Sequence, residues 1–182
     1  RGRSMKVNET SLSGCLVIEP EVHNDFRGFF VETFQVERYA ELAGINLSFV
    51  QDNHSYSEFS VLRGLHFQKI CPQGRLVRAV SGEIFDVAVD MRRDSPTFGK
   101  WEAVVLSERN RKQVWVPPGF AHGFLVLSES ANVEYKTTEY FDPDDEVQIR
   151  WNDPDLDIAW PLDKPILSIK DSQAPFLKDL KL

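Results

Sequence analysis

The sequence predicts an all-β domain of sandwich or barrel type carrying one or two short helices. Three observations predict it. From Leu47 onward, short runs rich in β-branched and aromatic residues recur at fairly even intervals. Turn-forming clusters separate them, such as Lys69-Ile-Cys-Pro-Gln-Gly74 and Arg92-Arg-Asp-Ser-Pro-Thr-Phe-Gly99. A single segment, residues 35–43, repeats its apolar residues at helical spacing.

In chain order, residues 12–19 read as a first strand ended by Pro20. Residues 23–28 are polar and turn-like, and residues 29–34 read as an aromatic-rich strand. The helix follows, with Val36, Tyr39 and Leu42 on one face and Gly44 placed to terminate it. Further strands are expected at residues 48–51, 61–68, 75–80, 83–90, 100–106, 113–116, 123–126, 132–138 and 147–150, with a polar turn ahead of Val61. The tail after Trp160 is punctuated by prolines and is expected to wrap the surface. Internal repeats, low-complexity segments and linkers are absent from the sequence.

At 182 residues the chain suits one domain with one substantial core. Residues 1–4, ahead of Met5, read as a vector-derived remnant, leaving residues 5–182 as the domain. A net charge of −7 argues against a nucleic-acid surface. Cys15 and Cys71 lie far apart without CxxC spacing, so a reducing cytoplasm is expected rather than a disulfide framework or zinc ribbon. No stretch is apolar and long enough for a signal peptide or a membrane span.

The chemistry concentrates in residues 51–67, which read QDNHSYSEFSVLRGLHF. Arg63 and His66 interrupt an apolar strand there, and buried charge is costly unless paired. They are an odd number of positions apart, so a regular strand would put them on opposite faces. One pocket holds both only if Gly64 marks a bulge. A carboxylate partner would raise the His66 pKa and fix its tautomer, with Asp86, Asp90 and Asp171 as candidates. Arg27, Arg63 and Arg75 each stand in or beside an apolar strand, and together they suit a small polyanion such as a diphosphate. The sequence carries no Gly-rich phosphate loop. Tyr135 and Tyr140 sit in an amphipathic segment with Lys136, where one phenol can give a proton and another can stack on a base.

His122 lies in Val116-Pro-Pro-Gly-Phe-Ala-His-Gly-Phe124. Such a turn paired with an earlier strand histidine resembles the cupins, whose fold is a double-stranded β-helix, or jelly roll. The metal-binding motif of that superfamily is broken here, because Gln68 replaces its second histidine and no glutamate follows closely. No metal is therefore expected.

More specifically, the sequence resembles the dTDP-4-dehydrorhamnose 3,5-epimerases, which are nucleotide-sugar epimerases of the cupin superfamily. The resemblance runs from about Met5 to Asp171. It is carried by Asp25-Phe-Arg-Gly-Phe-Phe30, Phe49-Val-Gln-Asp-Asn-His54, Val61-Leu-Arg-Gly-Leu-His-Phe-Gln68, Gln73-Gly-Arg-Leu-Val-Arg78, the His122 turn, Tyr135-Lys-Thr-Thr138 and Leu167-Ser-Ile-Lys-Asp171. It implies a cofactor-independent isomerase that inverts C3 and C5 of dTDP-4-dehydro-6-deoxy-D-glucose, in dTDP-L-rhamnose biosynthesis. His66, paired with Asp171, is implied as the general base and Tyr135 as the proton donor from the opposite face. Arg75 would be the cation beside the C4 ketone, where the family usually has lysine, and that change bears on the balance between C3 and C5. Arg27 and Arg63 would grip the diphosphate, and Tyr140 would stack near the thymine. Glu32, Gln51, Asp52, Asn53, His122, Glu146 and Lys170 would line the substrate site. The family implies a homodimer with strand exchange, in which Arg27 serves the neighbouring subunit. Competing readings are a single-centre epimerase, a 3,4-ketoisomerase, a sugar-nucleotide-binding module without catalysis, and a metal-dependent cupin oxygenase.

Overall fold

The computed structural model describes residues 5–182; the expected remnant at residues 1–4 lies outside the described residues. Thirteen strands are described. In order they are β1 (Lys6–Glu9), β2 (Leu16–Glu19), β3 (Val22–Asp25), β4 (Gly28–Val31), β5 (Gln51–Glu58), β6 (Leu62–Gln68), β7 (Arg75–Ser81), β8 (Glu83–Asp90), β9 (Trp101–Ser107), β10 (Gln113–Val116), β11 (Phe120–Val126), β12 (Ser130–Thr137) and β13 (Glu146–Gln148). Helix α1 spans Val36–Ala43 and the one-turn α2 spans Ile169–Ser172. A six-stranded antiparallel sheet, ordered β1-β2-β10-β7-β12-β5, faces a five-stranded one, ordered β13-β6-β11-β8-β9. β3 and β4 form a separate hairpin. This is the expected jelly roll.

Period-2 alternation sorts the side chains into three layers. Between the sheets, Val77, Ala79, Ala131 and Val133 meet Ile84, Ala88, Phe124 and Val126. Each valine, isoleucine or phenylalanine among them contributes about 1.5–3 kcal/mol when fully buried. Behind the five-stranded sheet, Leu65, Phe67, Val87 and Val89 are covered by the C-terminal tail through Trp160, Leu177 and Leu182. Behind the six-stranded sheet, Ile18, Leu76 and Trp115 pack on Tyr39 of α1, with Phe34 and Phe49. The sandwich core stops short of one end, and there the inward positions become polar.

Several expected elements are corrected. The stretch read as a polar turn is strand β5, paired with β12 over all eight of its residues. It escapes a hydrophobic-pattern reading because its inward face (Gln51, Asn53, Ser55) lines a polar cavity. Residues 48–50, expected as strand, precede it as loop. Residues 22–31 form the β3–β4 hairpin rather than a turn followed by a strand. The helix is where expected, capped by the Gln35 side chain on Arg38 N and ended by Gly44 at φ 66°. Its core contact is narrower than its periodicity suggests, since Tyr39 is buried while Val36 and Leu42 are 69% and 44% exposed. The Tyr39 hydroxyl donates to Gln113 Oε1 at 2.7 Å. The tail does more than wrap the surface, because α2 delivers Asp171 to the cavity.

Candidate active site

A cavity of about 540 Å³ opens between the two sheets at their polar end. The six-stranded sheet supplies Gln51, Asn53 and Ser55 from β5, Arg75 from β7 and Tyr135 from β12. The five-stranded sheet supplies Arg63 and His66 from β6, His122 and Phe124 from β11, and Glu146 from β13. The tail closes one side with Ser168, Lys170 and Asp171.

The parity problem of Arg63 and His66 is resolved by a bulge. His122 pairs with His66 and Phe124 with Arg63, so three steps on β6 match two on β11. The extra residue falls at Gly64, whose φ is 128°. A Cβ there would lie 2.6 Å from Gly123 Cα and 2.9 Å from the His122 carbonyl oxygen, so glycine is required by both conformation and space.

His66 Nε2 lies 2.5 Å from Asp171 Oδ1, and Asp171 Oδ2 accepts from the Gly64 amide at 3.1 Å. An ionised carboxylate only accepts, so Nε2 carries the hydrogen and Nδ1 keeps its lone pair. Glu146 Oε1 lies 3.5 Å from Nδ1. Lys170 in turn pairs with Glu146 at 2.5 Å. Burial raises the Asp171 carboxyl, but the hydrogen bond and charge of His66 and the Gly64 amide outweigh it and hold the group below the usual carboxylate range.

The second histidine is wired differently. His122 Nε2 lies 2.7 Å from the buried Asp86 Oδ2, and Arg75 Nη1 lies 3.4 Å from Nδ1. Arginine only donates, so Nδ1 accepts and Nε2 is protonated. Burial pushes the Asp86 carboxyl up, against the pull of His122 and Arg75. Burial also pulls the Arg75 guanidinium down, partly offset by Tyr135, Glu146 and Asp86. Arg75 sits 5.8 Å from the Tyr135 ring centre. Arg63 is steadied by Ser57 Oγ at 2.9 Å and the Tyr56 carbonyl at 3.2 Å.

Ten of the fourteen expected site residues therefore converge: His66, Tyr135, Asp171, Arg75, Gln51, Asn53, Arg63, His122, Glu146 and Lys170. Four do not. Asp52 points to the opposite face of β5 and pairs with Lys136 at 3.0 Å, as its parity with Gln51 and Asn53 dictates. Tyr140 is 67% exposed beside Phe141, which does line the cavity. Arg27 and Glu32 lie away from it, bonded to Asp25 and Arg38. Of the proposed partners for His66, Asp86 serves His122, and Asp90 serves Arg92. Gln73, Ser55 and the role of Asp86 escaped the sequence reading. Asp86 had a signal, a carboxylate at an inward position of the apolar run Ile84-Phe-Asp-Val-Ala-Val89. Among the described residues, no group of three or more His, Cys, Asp or Glu side chains could hold a metal ion.

A jelly roll whose cavity gathers a carboxylate-paired histidine on one wall, a tyrosine on the other and an arginine on each is built like a sugar epimerase. Residues 9–179 match the model of the dTDP-4-dehydrorhamnose 3,5-epimerase family, and the chain belongs to that family. The Pseudomonas aeruginosa dTDP-4-dehydrorhamnose 3,5-epimerase is 52% identical over 96% of this chain and 97% of its own. The crystal structure of the Legionella pneumophila dTDP-6-deoxy-D-glucose-3,5-epimerase, in complex with dTDP-4-keto-L-rhamnose, is 50% identical and covers 97% of this chain and 95% of its own, with TM-score 0.95. ChmJ, a 3'-monoepimerase from Streptomyces bikiniensis in complex with dTDP-quinovose, is 35% identical over 93% of this chain and 86% of its own, with TM-score 0.87.

Proposed function

We propose that the protein inverts C3 and C5 of dTDP-4-dehydro-6-deoxy-D-glucose, giving dTDP-4-dehydro-L-rhamnose without redox chemistry. The observation that carries this reading is the His66–Asp171 hydrogen bond in one wall of a cavity whose other wall holds Tyr135. Protons alpha to a ketone are within reach of imidazole if the enolate oxygen is stabilised. His66 takes the proton, Arg75 stabilises the enolate, and Tyr135 returns a proton from the other sheet. A base and an acid on opposite walls invert the centre between them. Arg63 binds the diphosphate. Two free cysteines, Cys15 and Cys71, fit action in a reducing cytoplasm.

Arg27 and the hairpin support a second part of this reading. Phe26 is 98% exposed, Phe30 70% and Phe29 56%, and Arg27 stands among them. Such an arm suits a second copy of the chain, in a homodimer with strand exchange whose partner site receives Arg27 and Glu32. Co-expressed Arg27→Ala and His66→Ala chains test it: the mixture regains up to about a quarter of wild-type activity if the arm serves the partner, since about half of the dimers are mixed and each of those has one complete site of two. No recovery would sink the exchange.

The activity itself is tested by NMR in heavy water with dTDP-4-dehydro-6-deoxyglucose. Deuterium is expected at both C3 and C5, and at neither with His66→Ala. The fold match to a 3'-monoepimerase supports one alternative, inversion of a single centre, for which deuterium at one carbon only would speak. Tight binding with no exchange would overturn the epimerase reading altogether.

A further inference from the structure

Arg75 is held in an unusual way. Its two terminal nitrogens meet neutral acceptors, Nη1 facing His122 Nδ1 at 3.4 Å and Nη2 donating to Gln73 Oε1 at 3.1 Å. Among the described residues no carboxylate forms an ion pair with it, although Asp86 and Glu146 lie near enough to act on it through space. A guanidinium restrained by neutral groups is not tied up in a direct ion pair, and so is ready for an anion that forms only during reaction.

Gln73 is buried, at 6% exposure, and its other end is also committed. Nε2 donates to the Glu139 carbonyl at 2.9 Å, and that carbonyl is itself held by the Thr137 hydroxyl at 2.8 Å. With Nε2 engaged on an acceptor, only Oε1 is left for Arg75, so the amide has one orientation. Glutamate in this position would pair with the guanidinium and cancel it, while an apolar residue would let it swing.

We propose that Gln73 is a positioning residue for Arg75, aiming the guanidinium at the substrate's carbonyl oxygen without neutralising it. This rests on the reading of Arg75 as the group that stabilises the enolate. The interaction exists mainly in the transition state, so its loss lowers kcat rather than raising KM.

The test compares Gln73→Met, Arg75→Met and the double variant by steady-state kinetics on dTDP-4-dehydro-6-deoxyglucose. Arg75→Met is expected to lower kcat by about 10²-fold, the scale of losing one oxyanion donor. Gln73→Met is expected to lower it by roughly 10-fold with KM within about twofold, the signature of a lost transition-state contact. The double variant is expected to be no worse than Arg75→Met. Near wild-type kcat in Arg75→Met would overturn the reading of Arg75 and this inference with it. A Gln73→Met rate within twofold of wild type, beside an impaired Arg75→Met, would overturn the positioning role alone. So would a Gln73→Met loss that persists in full without Arg75, since that is a structural effect. Should the methionine variant not fold, Gln73→Glu takes its place: kcat is expected to fall, and a wild-type rate would reject the proposal.

Discussion

His66 and His122 are direct neighbours in the β6–β11 ladder, and each commits Nε2 to a carboxylate. They differ in what remains. The His66 side chain is 23% exposed and lines the cavity, with Glu146 Oε1 3.5 Å from Nδ1, whereas His122 is 5% exposed and its Nδ1 is taken by Arg75. The same pair of residue types thus gives the proposed base in one place and a fixed acceptor in the other. The carboxylates differ too. Asp171 accepts at both oxygens, from His66 and from the Gly64 amide, while Asp86 Oδ1 is buried without a partner. What sets the His66–Asp171 pair apart is a second ring nitrogen without a hydrogen bond and a fully committed carboxylate.

Replacing each carboxylate by an amide sharpens the contrast, and the larger effect falls on Asp171. Asparagine there cannot satisfy both donors: facing its NH₂ to Gly64 sets donor against donor, and flipping it turns a donor towards His66. The buried donor–donor clash disfavours the first orientation, the second loses the tautomer that frees Nδ1, and kcat is expected to fall by about 10³-fold or more, as for a catalytic histidine in the wrong tautomer. Asparagine at position 86 can still accept from His122 with its oxygen, and its NH₂ falls where no hydrogen bond exists to be broken. A loss of about tenfold or less is expected there, the Arg75–His122 contact being kept. Equal losses in the two variants, by the same heavy-water exchange, would mean that the two pairs are not functionally distinct.

Much of this was legible in the sequence, for physical reasons that vary by residue. The strands of the core announced themselves because their inward residues are apolar, as in Glu83–Asp90 and Gln113–Val116. β5 was hidden because its inward residues face a cavity and its outward ones face water, leaving no apolar period. His66 and Arg63 stood out as polar residues in an apolar run, and the odd spacing itself pointed to a bulge at Gly64. Asp171, Arg75 and Tyr135 were already candidates from their local sequence, but their specific roles came through family resemblance, since a carboxylate, a cation or a phenol in a strand does not by itself say which step it serves. Asp52 was carried along with its neighbours Gln51 and Asn53 although alternation turns it outward to Lys136. Gln73 had no local signal, because a glutamine beside a Pro and a Gly reads as turn until the chain brings Arg75 and Glu139 to it.

The smallest expected effect lies in the pH dependence of stability, where the two carboxylates act with opposite sign. Asp171 has a folded pKa below its ordinary 3.8, so the folded state binds fewer protons there than the unfolded state. Its contribution is complete above that value and is lost as pH falls from about 4 through the lower, folded pKa. Asp86 has a folded pKa above 3.8, because burial penalises its charge. It holds a proton in the folded state where the unfolded chain has released one, so its effect is to lower stability as pH rises from about 4. Urea unfolding at a series of pH values separates them. Asp86→Asn should flatten the decline on the neutral side of about pH 4, and Asp171→Asn should reduce the loss on the acid side. If Asp86→Asn instead leaves the neutral-side slope as in the wild type, the carboxyl is ionised in the fold at no cost. The Asp86 carboxylate would then be stabilised in the fold by His122 and Arg75, and the two carboxylates would not act with opposite sign.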